Sequence, residues 1–219
     1  MEAFRIHTGV AMALRATNVD TDQIAPSRFL KRITRSGHAD VLFGTWREDP
    51  DFVLNRPELV GASVLVAGSN FGIGSSREIA VWALQNYGFR AIVAPRFGDI
   101  FRANAGKSGL VTAQVEERDV ESLWRLIEGR AGLSVTVDLE RQLISAGLEF
   151  RAAFSIDPYT KWQILNGFDD IDVTLRSNDA ISEHERRRSR LKPTLRSSQG
   201  STRDTTLRET IRRVPTVPG

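Results

Sequence analysis

The chain has 219 residues, 41% hydrophobic and 26% charged, a length and balance that suit one globular domain with or without an appendage. It contains no cysteine, which excludes disulfides, thiolate zinc sites, a cysteine nucleophile and an iron–sulfur cluster held by this chain alone. The charge is divided: residues 183–219 carry ten Lys or Arg against four Asp or Glu, a net of +6, while residues 1–182 carry twenty against twenty-three, a net of −3.

The opening stretch, MEAFRIHTGVAMALRATNVD, holds an apolar run too short and too interrupted for the core of a signal peptide. No run approaches the ~20 apolar residues needed to cross a bilayer. The expectation is a soluble, cytoplasmic protein with no membrane partner. Residues 16–57 are less regular, and their first half, 16–37, has polar clusters, Pro26 and four basic side chains, Arg28, Lys31, Arg32 and Arg35. Such a stretch ahead of a compact unit suits either a binding loop or an ordinary surface connection.

From residue 62 the pattern becomes regular. Residues 62–67 (ASVLVA) form a short apolar run rich in β-branched residues, the signature of a strand buried on both faces. A glycine-rich turn follows, and then residues 76–87, with Ile79, Ala80, Ala83, Leu84 and Tyr87 at helical spacing before Gly88. Residues 91–95 predict the next strand, 98–107 a helix ending near Gly109, 110–115 a strand and 118–128 an amphipathic helix. Residues 133–139 and 142–145 predict a hairpin, with a further strand in 148–155. A last helix over 158–166 opens at Asp157, an acceptable N-cap, with Pro158 at the first helical position. Repeated strand–helix–strand units with short connections predict an α/β fold: a mostly parallel sheet with flanking helices.

The basic segment from residue 183 has few large apolar residues, two arginine clusters and three prolines, so it cannot bury enough apolar surface to offset the entropy of ordering. It predicts a disordered tail. No aromatic side chain is interleaved for base stacking, so the chain does not read as nucleic-acid-binding.

The informative segment is Gly68-Ser-Asn-Phe-Gly72-Ile-Gly74-Ser75-Ser76-Arg77-Glu78, between a predicted strand and its helix. In open α/β sheets ligands bind at the carboxyl ends of the strands, where helix N-termini favour anions. The glycine spacing invites comparison with the fingerprint of short-chain dehydrogenases. That fingerprint belongs to the first strand–helix turn, though, and neither Tyr87 nor Tyr159 has the lysine four residues on that those enzymes use. Ser75-x-x-Glu78 also fits a capping box. A cap alone leaves unexplained the three glycines and an arginine set against the helix dipole.

This turn, together with NVDTDQIAP (18–26) and RFGDIFRANAGKSGL (96–110), resembles the small subunits of 3-isopropylmalate dehydratases, the bacterial swivelling-domain family of the aconitase superfamily. Three motifs occur in the family's order, and the similarity runs to about residue 182. The resemblance implies a layered β/β/α swivel domain over 1–182. It implies a hydro-lyase subunit of leucine biosynthesis, active as a heterodimer with a large subunit that carries a [4Fe-4S] cluster, while this chain binds no cofactor or metal itself. Carried over by motif, Ser75 removes the α-proton of a hydroxy dicarboxylic acid, Ser76 supports it by hydrogen bonding, and Arg77 binds a carboxylate. Asp20, Thr21 and Gly74 border the substrate, and Arg28 and Arg32 belong to a loop that senses which malate derivative is bound.

The serine chemistry sets a demand. A hydroxyl ionising like water, at ~15.7, needs roughly 12 kcal/mol to reach ~7, at ~1.36 kcal/mol per unit. A helix terminus supplies at most ~2 kcal/mol. Ser75 therefore needs further donors and a water-excluded interface with a partner, and the isolated chain is expected to be inactive. Asp20 and Asp22 lack the rest of a calcium loop, and His7, His38 and His184 lack ligand spacing. Asn104 and Lys107 fit either the site or a bare surface. The chain departs from the family pattern at Ile79, where histidine is usual, and at Ile73, Ala25 and Ser108. A hydro-lyase for another hydroxy acid, or an inactive paralogue, is the alternative.

Overall fold

The computed structural model describes residues 1–29, 35–74 and 78–187. The chain divides into two compact units, Met1–Arg176 and Ser177–Gly219.

In the first unit, strands β1 (Ile6–Leu14), β2 (Val64–Ala67), β3 (Ala91–Ala94), β4 (Val111–Gln114), β5 (Ser134–Asp138), β6 (Leu143–Ala146) and β7 (Phe150–Ala153) form one sheet in the order β4-β3-β2-β1-β5-β6-β7. Helices α2 (Glu78–Tyr87) and α3 (Asp99–Ser108) join β2 to β3 and β3 to β4. Successive residues of a strand point to opposite faces, and the core divides accordingly. Met12, Leu65 and Ile92 pack with Leu84 and Phe101, whereas Ala11, Val66 and Val93 pack with Leu123 and Ile127 from α4 (Glu117–Gly129). The indole N–H of Trp124 donates to the Val66 carbonyl at 2.9 Å, tying α4 to the sheet. The β2 and β3 positions are all buried, as their unbroken apolar runs require.

The α/β class holds, but the sheet is evenly mixed. The β1–β2, β2–β3 and β3–β4 pairings are parallel, and β1–β5, β5–β6 and β6–β7 are antiparallel. The hairpin expected near 133–145 is present and continues as a meander through β7. The sequence reading contained no strand before residue 62. β1 is nevertheless the centre of the sheet, with Ala11 opposite Val64 on one side and His7 opposite Val137 on the other. Its N-terminal half is only partly buried and includes Gly9 and Thr8, which hides the alternation that marks a strand.

Helix α5 (Pro158–Asn166) begins where its sequence requires. The Asp157 carboxylate accepts from the Thr160 N–H at 2.8 Å and from the Thr160 hydroxyl at 2.9 Å. These two donors, the N–H first, hold the Asp157 pKa below the ordinary aspartate value. A depressed folded-state pKa gives stability that is complete above the unfolded-state value of ~3.9 and is lost as pH falls through the folded one. Asp157→Ala is expected to lower stability by about 1 kcal/mol at neutral pH. Urea denaturation of both proteins should show the gap narrowing on acidification below ~4, and a gap independent of pH would count against the cap.

In the second unit, α7 spans Asn178–Arg187, with Glu183 paired to Arg186 at 2.6 Å and Arg187 at 2.5 Å. These pairs three and four residues apart support a helix across residue 182, where composition placed the start of a disordered tail. Residues 188–219 of that tail lie outside the described residues.

Candidate active site at the carboxyl ends of the parallel strands

Strands β1, β2 and β3 run in the same direction, so the segments that leave them emerge at one edge of the sheet. Those segments carry the three motifs singled out above, and backbone hydrogen bonds join them. The N–H of Gly68 donates to Ala16 at 3.1 Å, that of Asn18 to Ser69 at 2.8 Å, that of Gly72 to Val19 at 2.7 Å and that of Thr21 to Ile73 at 3.0 Å. On the other side the Phe71 N–H donates to the Arg96 carbonyl at 3.0 Å, and the Gly98 N–H to the Phe71 carbonyl at 2.9 Å. The parallel pairing thus continues beyond the strands as bridges between Asp20 and Ile73 and between Phe71 and Phe97.

Two of the glycines are required by this closeness. A Cβ on Gly98 would lie 2.4 Å from the Gly72 carbonyl oxygen. A Cβ on Gly72 would lie 2.3 Å from Phe101 Cγ, and its φ of +77° suits glycine. Asn18 and Asn70 both hold left-handed backbones, with φ of 55° and 61°, and the Asn70 amide donates to Asn18 Oδ1 at 2.8 Å. Asparagine tolerates that conformation. Sequence reading missed both residues, and neither has the adjacent Gly or Pro that would have marked a turn.

Helix α1 (Thr21–Ile24) opens with a capping box: Asp20 Oδ1 accepts from the Gln23 N–H at 2.8 Å, and Gln23 Oε1 accepts from the Asp20 N–H at 2.9 Å. Asp22 in turn accepts from the Ser27 N–H at 2.9 Å. The two carboxylates therefore organise the loop. Among the described residues, no three His, Asp or Glu side chains gather where they could hold a metal ion.

Of the residues carried over by motif, Asp20, Thr21 and Gly74 come together. The space where a Gly74 Cβ would stand is bounded by Asp20 Cβ at 3.4 Å and Thr21 Oγ1 at 4.0 Å. Arg28 does not join them; it is exposed and ion-paired with Glu48. Ser75, Ser76, Arg77, Lys31 and Arg32 lie outside the described residues, as does the Ser75 half of the proposed capping box. Beside the glycine turn, a cleft of about 470 Å³ is lined by Asn70, Gly72, Ile73, Gly74, Arg96 and Asp99, among others. Sequence reading did not single out Arg96.

Asn104 and Lys107 line a different cleft of about 530 Å³, with Glu78, Trp82 and Asp170. The Lys107 ammonium is 2.9 Å from Asp170, whose hydrogen bond and charge raise its pKa above the ordinary lysine value. Lys107 thus ties α3 to α6 (Asp170–Leu175). Ile79, the departure from the usual histidine, is buried in the core beside Ala80 and Leu84, so that exchange alters packing. His7 shares a 2.8 Å hydrogen bond with Ser63, and burial, with the nearby Arg90 charge, lowers its pKa.

Residues 1–118 match the model of the aconitase C-terminal domain, and residues 170–197 match that of the C-terminal domain of the 3-isopropylmalate dehydratase small subunit. A 3-isopropylmalate dehydratase small subunit from Mycobacterium sp. (strain KMS) is 56% identical over 193 residues, covering 88% of this chain and 98% of its own length. One from Acidothermus cellulolyticus is 56% identical over 198 residues, covering 90% and 100%. The crystal structure of a 3-isopropylmalate dehydratase from Methanocaldococcus jannaschii aligns with a TM-score of 0.61 at 26% identity, over 82% of this chain and 99% of that one.

Proposed function

The chain belongs to the family of 3-isopropylmalate dehydratase small subunits, which contains the aconitase C-terminal domain, and from that membership we propose that it works in the cytoplasm with a large subunit to interconvert 2-isopropylmalate and 3-isopropylmalate in leucine biosynthesis. The single observation that supports the reading is the convergence of its three motifs: hydrogen bonds from Asn18, Gly72, Thr21 and Phe71 bring them to one edge of the sheet, directly before position 75.

The reaction removes water and returns it with the opposite orientation. One carbon of the dicarboxylic acid loses a proton, the neighbouring carbon loses hydroxide, and the unsaturated acid takes both back in exchanged positions. In this reading Ser75 accepts and returns the proton, Ser76 donates a hydrogen bond that steadies the Ser75 oxygen, and Arg77 holds a carboxylate in a fork of two N–H donors. The capped loop at Asp20 and Thr21 forms one wall, and Arg28 and Arg32 belong to the loop that senses the isopropyl group. No cysteine is present in the 219 residues, so the thiolates of an iron–sulfur cluster would come from the large subunit. That cluster, when bound there, supplies Lewis-acid activation of the departing hydroxyl. Ser75 gains a useful basicity only inside the interface formed with that partner, where water is excluded and further donors are fixed.

The test is reconstitution. The two subunits together, with the cluster loaded under anaerobic conditions, are expected to convert 3-isopropylmalate, followed by the absorbance of the unsaturated acid. Neither subunit alone should do so. Turnover by this chain alone, or none by the loaded complex, would overturn the reading.

A further inference from the structure

Helix α3 carries the third motif, and packing within the chain explains only part of it. Phe101, Ala105 and Gly106 are buried, and a Cβ on Gly106 would lie 2.5 Å from Thr160 Cγ2 of α5. Ile100, Ala103 and Lys107 are exposed and, at spacings of three and four, share another face of the helix. Ile100 is 52% exposed and lines the cleft beside Gly72 and Gly74, so this face begins at the candidate site.

On α5, Tyr159 and Trp162 are 54% and 38% exposed. Their rings stack at 5.8 Å, Trp162 also meets Phe168 at 5.5 Å, and the Arg176 guanidinium lies over it at 5.7 Å. The Tyr159 phenol is close enough to the Lys107 ammonium to interact with its charge, which links the exposed faces of the two helices. The charges around them are engaged within the chain, Lys107 with Asp170 at 2.9 Å and Arg102 with Asp99 at 3.6 Å. What is left facing outward is apolar and aromatic, and the aromatic pair is held by its neighbours. Interface cores have this composition, depleted in charge and enriched in aromatic side chains. Side chains already held in place lose little entropy on docking.

We infer that the face formed by Ile100, Ala103, Tyr159 and Trp162 is where this chain docks on its large subunit, against an apolar surface beside the mouth of the shared site. The inference rests on the functional reading above and deepens it by giving the partner a surface. Continuity with the site selects the occupant. A site closed between two subunits is rimmed by their contact, and Ile100 stands on that rim. A second copy of this chain seated there would cover the cleft instead.

The experiment titrates the cluster-loaded large subunit with the full-length chain and its variants by calorimetry. Ile100→Asp is expected to weaken binding roughly thirtyfold or more and Tyr159→Ser roughly tenfold, the scale of buried interface anchors. An aspartate in the first turn of α3 favours the helix dipole, so the fold should persist, with the urea midpoint as the check. Val60→Asp, also at an exposed apolar residue but near the amino end of β2, should leave the affinity unchanged. With the large subunit in excess, Tyr159→Ser should regain wild-type turnover, which separates docking from a contact with substrate. Unchanged affinity in both face variants would overturn the inference, as would an equal loss in Val60→Asp. So would dimers of the chain alone, seen by light scattering, that Ile100→Asp dissociates. If Ile100→Asp fails to fold, Ile100→Ala and Tyr159→Ser decide by the same comparison. Binding without turnover in the wild-type complex would sink the functional reading alone, with the affinities still deciding the face; no binding at all would sink both.

Discussion

In the loaded two-subunit enzyme, Ser75→Ala is expected to lower kcat by roughly 10²–10⁴-fold, the range of a positioned acid–base group, while KM changes little. On the proposed assignment, the alanine removes the oxygen that exchanges the proton and leaves the carboxylate contacts in place. The interaction lost is therefore one made in the transition state. Arg77→Lys should give the opposite pattern: KM rises roughly tenfold or more and kcat falls less, because a point charge replaces a fork that holds ground state and transition state alike. The two variants separate a base from a clamp. Turnover unchanged in Ser75→Ala would remove Ser75 from the chemistry while leaving the family membership untouched. In the turn that leads to position 75, Gly72 and Gly74 have φ of +77° and +92°, which side chains other than glycine rarely adopt.

The second large effect is steric. Gly98→Ala is expected to destabilise the domain by about 2–4 kcal/mol, beyond the few tenths that an N-cap exchange costs. The new methyl would sit 2.4 Å from the Gly72 carbonyl oxygen, 2.8 Å from its carbon and 3.0 Å from Ile73 Cα. All three are backbone atoms and cannot rotate away. Relief requires parting the loops, and that breaks the hydrogen bonds of Phe71 to Arg96 and of Gly98 to Phe71. The φ of Gly98 is −64°, which alanine adopts freely, so backbone strain does not confuse the result. Gly129→Ala provides the contrast. It stands at the end of α4 with nothing within 4 Å of its would-be Cβ, and should be neutral or up to about 1 kcal/mol stabilising. Equal urea midpoints for the two variants would show that the close approach at Gly98 carries no energetic weight.

Much of the architecture was legible from local pattern. Asp157 and Pro158 announced α5 to the residue, Gly109 marked the end of α3, and the apolar runs read as strands at 62–67 and 91–95 form β2 over Val64–Ala67 and β3 over Ala91–Ala94. The motifs could be read too, because Gly, Asp and Arg in those orders resemble a known family. Other features were invisible. Lys107 reads equally well as a site residue or a surface one until Asp170 is found beside it. Ile79, a conspicuous departure in the motif, proves to be a core residue.

The sequence by itself determined helices α2 to α5, most of the strands and the identity of the three motifs, because these follow from interactions among residues a few positions apart. Tertiary structure alone decided that the weakly patterned Ile6–Leu14 is the central strand, and that segments around residues 20, 72 and 97 close on a single edge. Both depend on hydrogen bonds between residues some 25 to 130 positions apart. Such pairings are selected by the burial of the whole sheet, and no local period encodes them.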